Sequence, residues 1–169
     1  VCLMIFSNKF LFQFSSSYFH QTRFFYHKMS NVTPQCIDFS VDTADNQTLC
    51  GQVWLSEHVL DRCLSGTKSS DVLNACHLQW LCNESRSVSV VKKPPPPIIG
   101  LHGWLDNSST WCGLAPLFIE QEPNRVMICM DFAGHGKSSH KHAQARYDAY
   151  AYCNDVMQFI QVLFPNQPL

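Results

Sequence analysis

Two short turns, each following an apolar strand-like run, hold the groups best suited to chemistry in this 169-residue chain. The first is Ile98-Ile99-Gly100-Leu101-His102-Gly103-Trp104-Leu105-Asp106-Asn107, and the second runs from Val126-Met127-Ile128-Cys129-Met130 into Asp131-Phe132-Ala133-Gly134-His135-Gly136-Lys137-Ser138. Hydrolysis of an ester or amide passes through a negatively charged oxygen. Backbone N–H groups held off the end of a parallel strand stabilise that oxygen without reorganising. His102-Gly103-Trp104 stands where such a donor belongs, with Gly103 allowing tight passage of the backbone and the Trp104 amide as the expected donor. His102 is expected to be structural, its ring bonded to nearby backbone. Asp106 is a carboxylate at the mouth of the expected cleft, but Asp and Asn followed by two serines favour caps and turns, so it too is expected to support the turn.

Three kinds of chemistry compete for the second turn. A phosphate-binding loop ends in Gly-Lys-Ser, as Gly136-Lys137-Ser138 does, but its opening glycine falls on Asp131, whose charge repels phosphate. A dinucleotide loop would need a third glycine where Ser139 stands. The remaining reading is a tight structural turn in which Asp131 bonds loop amides while Gly134 and Gly136 adopt dihedrals other residues avoid. It agrees with the first turn and is preferred. His135, His140 and His142 cluster nearby, but without cysteine or carboxylate at ligand spacing they do not point to zinc, and no metal is expected.

These turns need elements to hold them. Ile37, Phe39 and Val41, then Leu49, Gly51, Val53 and Leu55, alternate with polar residues around Asp45-Asn46-Gln47, which predicts a β-hairpin between Gln35 and Glu57. From His58 to Lys93 nothing is periodic for long, although Val72–Leu81 allows a short helix. Residues 58–96 are therefore expected to be an insertion or linker, ending in Lys92-Lys93-Pro94-Pro95-Pro96-Pro97, an extended lead-in to the next strand. Thr110–Ile119 predicts an amphipathic helix with Trp111, Leu114, Ala115, Leu117 and Phe118 as its apolar stripe. Tyr147–Phe164 predicts another, with Tyr150, Cys153, Val156, Met157, Ile160, Val162 and Leu163 inward. The order β-β-insertion-β-α-β-α describes an α/β sheet with an antiparallel edge hairpin.

Composition narrows the function further. The chain has 46% hydrophobic and 15% charged residues and a net charge of −1, which suits one globular domain and provides no basic field for nucleic acid. No run approaches the roughly 20 apolar residues of a membrane span. Nine scattered cysteines without a C-x-x-C pair read as small buried hydrophobes in a reducing, intracellular and most simply cytoplasmic setting. Residues 1–28 are rich in Phe, Tyr and Ser and free of acid, as an organelle transit segment would be. They read alternatively as sequence translated from upstream of Met29.

Pro97-x-Ile-x-Leu-His-Gly-Trp-Leu-Asp-Asn, a helix, and then Met-Asp-Phe-x-Gly-His-Gly-x-Ser-Ser-His together resemble the serine hydrolase-like family of α/β hydrolases over Ile37–Glu57 and Pro97–Phe164. The resemblance implies an incomplete α/β-hydrolase sheet with an N-terminal antiparallel hairpin and flanking helices. The activity it implies is a cofactor-free Ser-His-Asp hydrolase of small esters or related acyl substrates. In that superfamily the nucleophile rides a G-x-S-x-G turn and the triad runs serine, acid, histidine along the chain, so His102 cannot be its base. The residues two before Gly51, Gly66, Gly100, Gly103, Gly113, Gly134 and Gly136 are Leu, Leu, Ile, Leu, Trp, Phe and Gly, and none is serine. Residues 97–169 are thus expected to be a hydrolase core lacking its nucleophile elbow, acid and base, and the chain itself an inactive part of a longer enzyme. An epoxide hydrolase or haloalkane dehalogenase, with an aspartate nucleophile, is the alternative, as is a non-catalytic interaction module. One physical consequence follows: Ile98–Leu101 should be a bare sheet edge where the nucleophile strand would pair.

Overall fold

The structure is a computed structural model that describes residues 32–65, 72–82 and 95–165, together with the backbone of two N-terminal strands. Those strands are β1 (Cys2–Phe6) and β2 (Leu11–Phe14). The hairpin expected from period-two alternation is present as β3 (Pro34–Asp42) and β4 (Thr48–Ser56), paired antiparallel from Pro34↔Ser56 to Asp42↔Thr48. Asn46, at φ 60°, makes its turn. After it come α1 (Glu57–Leu64), β5 (Val72–Leu73), α2 (Ala75–Cys82), β6 (Ile98–Leu101), a 3₁₀ turn (Ser108–Trp111), α3 (Ala115–Gln121), β7 (Met127–Met130) and α4 (Ala149–Leu163).

All strands join one mixed sheet in the order β2-β1-β6-β7-β4-β3-β5. At its centre β6 and β7 run parallel, Ile98 opposite Met127 and Leu101 opposite Met130, so that both turns leave the same end of the sheet. Every residue of these two strands is buried, as expected of parallel strands covered on both faces. On one face α1, α2 and α4 cover Phe39, Val53, Leu55, Ile99, Leu101, Ile128 and Met130; on the other, Trp111 and Ala115 cover Ile98, Met127 and Cys129. The stretch read from sequence as a connection supplies Val59, Cys63, Leu73, Leu78 and Leu81 to the larger cluster. In α1 the buried pair Val59 and Cys63 is spaced i, i+4, a single helical face too short to register as periodicity.

Several expectations need correction. Ile98–Leu101 is not a bare edge, because β1 pairs antiparallel with it in register Leu3↔Leu101, Met4↔Gly100, Ile5↔Ile99 and Phe6↔Ile98. The helix expected from Thr110 starts at Ala115, with Pro116 in its first turn, where the missing N–H of proline leaves no bond broken. Its buried residues are Ala115 and Ile119, and Leu117 points outward at 41% exposure. In α4 the inward set is Asp155, Phe159 and Leu163, while Tyr150, Cys153 and Met157 face solvent. Phe159 stacks on Phe39 at 5.4 Å at the centre of the buried face, with Val156, Ile160 and Val162 packed beside it. The cysteines also divide: Cys50, Cys63 and Cys129 are buried, but Cys36, Cys76, Cys112 and Cys153 are exposed free thiols.

Candidate functional site

Both turns rise from the C-terminal ends of β6 and β7 and are tied together by one imidazole. His102 is buried; its Nε2 accepts the Phe132 N–H at 3.1 Å and its Nδ1 lies 2.8 Å from the Gly103 carbonyl. A backbone N–H must donate, so Nε2 is unprotonated and Nδ1 carries the hydrogen that Gly103 accepts. Burial lowers the pKa of His102, and a second proton on Nε2 would face the Phe132 donor head-on. The ring is thus a neutral bridge between the turns, with no free position for proton transfer.

The second turn is closed upon a carboxylate. Asp131 is buried, with Oδ1 accepting the Ser108 N–H at 2.5 Å and Oδ2 the Lys137 N–H at 3.0 Å. Its own N–H donates to the Cys50 carbonyl, and its carbonyl accepts the Ser138 hydroxyl at 2.7 Å. Gly136 sits against it at φ 50°, where an added Cβ would lie 2.1 Å from Asp131 Oδ2. Gly134, at φ 79°, lies under the Tyr147 ring, 2.6 Å from where its Cβ would be. Ser138 Oγ also accepts the Cys50 N–H, and Lys137 pairs with Asp38. The Gly134, His135, Lys137 and Ser138 amides, the Ser138 hydroxyl and the Lys137 ammonium are all committed within the fold, which leaves little of the loop to bind phosphate.

Around this loop a strap from Ser139 to Asp148 is anchored by a buried ion pair, Lys141 with Asp155, whose other carboxylate oxygen accepts the Ala133 N–H. Desolvation raises the Asp155 carboxyl and Lys141 opposes it. Sequence periodicity missed this group, yet the signal was available: a carboxylate four residues before Phe159 on the same helical face must find a cation or donors if that face is buried.

The first turn differs. Asp106 Oδ1 accepts the Asn107 N–H at 2.9 Å, and Asn107 caps the 3₁₀ turn through the Ser109 N–H. Hydrogen bonds from Asn107 and Thr110 hold Asp106 below the ordinary carboxylate pKa. Among the described residues nothing accepts from the Trp104 N–H. Leu105 takes φ 60°, a conformation that costs a leucine about 1 kcal/mol, and both Trp104 and Leu105 are exposed. Phe132, His135 and Tyr152 complete the surroundings as rings in contact, with Phe132 and Tyr152 centred 5.0 Å apart. His135 Nδ1 lies 3.2 Å from the Ala133 carbonyl, and no group of three or more His, Cys, Asp or Glu among the described residues is placed to hold a metal ion.

A serine-histidine contact does exist elsewhere. Ser56 Oγ lies 2.9 Å from His58 Nδ1, and His58 Nε2 is 3.1 Å from Asn124 Oδ1, an arrangement with the outline of a nucleophile, base and orienting residue. It stands at the opposite end of the sheet from Trp104, since β4 runs antiparallel to β7. Ser56 is fully buried and donates its proton to the Pro123 carbonyl at 2.7 Å. A hydroxyl spent in this way ties the α3–β7 loop to β4 and has no proton to give a base.

The parallel β6–β7 pair, the turns at one end and the two covering layers fit an incomplete α/β-hydrolase fold, and residues 96–169 match the family model described as the alpha/beta hydrolase fold. Within that family its likeness is to serine hydrolase-like proteins. The chain is 35% identical over 68 residues to the human serine hydrolase-like protein, covering 40% of this chain and 32% of that one. It is 40% identical over 68 residues to the Danio rerio serine hydrolase-like protein, covering 40% and 20%. To a probable serine hydrolase of Drosophila melanogaster it is 44% identical over 48 residues, 28% of this chain and 14% of that protein. The chain therefore spans at most about a third of these relatives. No solved structure matches it. Among the described residues no helix is long and apolar enough to cross a membrane.

Proposed function

We propose that this chain is the oxyanion-binding portion of a serine α/β hydrolase acting on ester or related acyl bonds, and that by itself it is catalytically silent. The observation that carries this reading is the Trp104 N–H, left without an acceptor among the described residues at the C-terminal end of a parallel strand, beside a second turn closed upon Asp131. His102, Gly103, Asp106, Asp131, Gly134 and Gly136 hold that amide in place. The reaction needs a nucleophile approximately 3 Å from the same carbonyl, and the only serine with a histidine partner among the described residues, Ser56, lies at the far end of the sheet. No cofactor enters this scheme; the substrate is a small uncharged acyl compound, and the compartment is intracellular.

The test uses the 169-residue chain with a serine-directed fluorophosphonate and a chromogenic ester. The expected result is no labelling and no turnover above that of free histidine. Stoichiometric labelling of any serine, Ser56 included, contradicts the silent-chain reading. The transcript beyond Leu169 provides a second test: G-x-S-x-G at the end of a following strand fits the serine reading, whereas G-x-D-x-G replaces it with the aspartate nucleophile of an epoxide hydrolase or dehalogenase.

A further inference from the structure

Trp104 is 66% exposed and Leu105 82%, side by side on the turn whose Trp104 amide has no acceptor among the described residues. An exposed apolar pair held partly by backbone strain is an observation that asks for a ligand. The indole is not loose. His135 meets it at 6.1 Å and Tyr152 at 5.8 Å, both edge to face, and these two rings meet each other at 5.7 Å. Behind them His102 lies 5.2 Å from His135, so the indole rests on rings that are themselves anchored to both turns. Its remaining surface faces outward, within one residue of the carbonyl oxygen that the amide would hold.

We propose that the open surface of Trp104, extended by Leu105, is a wall against which an uncharged aryl group of the substrate lies, so that the site prefers neutral aryl esters to short alkyl or anionic ones. This inference rests on the reading of the Trp104 amide as an oxyanion donor. An aryl group gains edge-to-face or offset stacking beyond simple burial, which separates it from an alkyl group of equal area. Exclusion of anions comes from Asp106, two residues from Trp104, whose ionised carboxylate is held by the Asn107 N–H and would repel a second negative charge.

The experiment follows backbone and indole N–H resonances of the full chain during titration with acetophenone, acetone and benzoate. Acetophenone is a ketone that mimics an aryl ester carbonyl but cannot be hydrolysed. Acetophenone is expected to shift the Trp104 indole and backbone N–H together and to bind roughly tenfold more tightly than acetone, the difference that one added aromatic contact supplies. Benzoate is expected to leave both unmoved. Trp104→Ala keeps its backbone donor, so it should retain the shift of the residue-104 amide with acetone but lose the preference for acetophenone; Trp104→Phe should keep most of that preference. Equal binding of the two ketones, or a preference that survives Trp104→Ala, overturns the wall. An indole shift with acetophenone, while the residue-104 amide moves with neither ketone, supports the wall and contradicts only the oxyanion reading.

Discussion

The two turns lie side by side on parallel neighbours, yet they are finished in opposite ways. The turn after β7 is closed: both Asp131 carboxylate oxygens, the Ser138 hydroxyl and the Lys137 amide are paired inside the fold. The turn after β6 leaves the Trp104 amide without an acceptor among the described residues and carries two exposed apolar side chains beside it. On the proposed reading, a site that holds a transient negative oxygen needs donors that are fixed but unspent, and fixing them would fall to the neighbouring turn through His102. The scaffold turn should therefore tolerate almost no change, while the open turn should tolerate substitution with little effect on folding.

Breaking the closed turn gives the largest effect. Gly136→Ala puts a methyl group onto Asp131 Oδ2 in a backbone conformation alanine avoids, and urea denaturation should show a loss of about 3 kcal/mol or more, or no folded protein. Asp131→Asn keeps the shape but turns an NH₂ toward the Ser108 or Lys137 N–H, and should cost about 2–3 kcal/mol by the same measurement. A loss below 0.5 kcal/mol, on the order of an exposed substitution, would show that the carboxylate is not what closes the turn.

The bridge between the turns has a pH signature. Burial lowers the pKa of His102 in the folded state below its ordinary 6.5, so its contribution is complete above that value and is lost as pH falls toward the folded pKa. The slope can reach about 1.4 kcal/mol per pH unit. Asp155, raised by burial, works the other way in the more acidic range, losing stability as pH rises from its ordinary value of 3.8. Comparing pH-dependent melting of the parent with His102→Gln separates the two. The variant should flatten the slope just below 6.5, and an unchanged slope there removes His102 as its source.

How much of this was legible in the sequence depended on which force set each element. The hairpin and the two central strands were legible because period-two alternation and wholly apolar runs are local signals. Gly134 and Gly136 could be assigned to special backbone because a glycine pair around one histidine after a strand has few other uses. The rotation of α4 was legible only in part: Val156, Ile160, Val162 and Leu163 pack on the core as expected, but the contact of Phe159 on Phe39 leaves Tyr150, Cys153 and Met157 outside. The pairing of Ile98–Leu101 with Cys2–Phe6 was not legible either, because a long-range antiparallel partner leaves no mark in the strand it joins. That pairing can be tested: removal of residues 1–28 should speed amide exchange at Ile98–Leu101 by an order of magnitude or more if β1 protects the edge. The smallest effect expected is at the open turn, where Leu105→Asn relieves the positive φ and should raise stability by a few tenths of a kcal/mol.

Residue-resolved amide hydrogen exchange at neutral pH tests the contrast between the turns most directly. The Ser108 and Lys137 amides, both given to Asp131, should exchange only with global unfolding, while the Trp104 amide should exchange near its intrinsic rate although the strand before it is protected. If Trp104 is protected as strongly as Lys137, its N–H already has an acceptor within the fold, and it cannot be the donor awaiting an oxyanion.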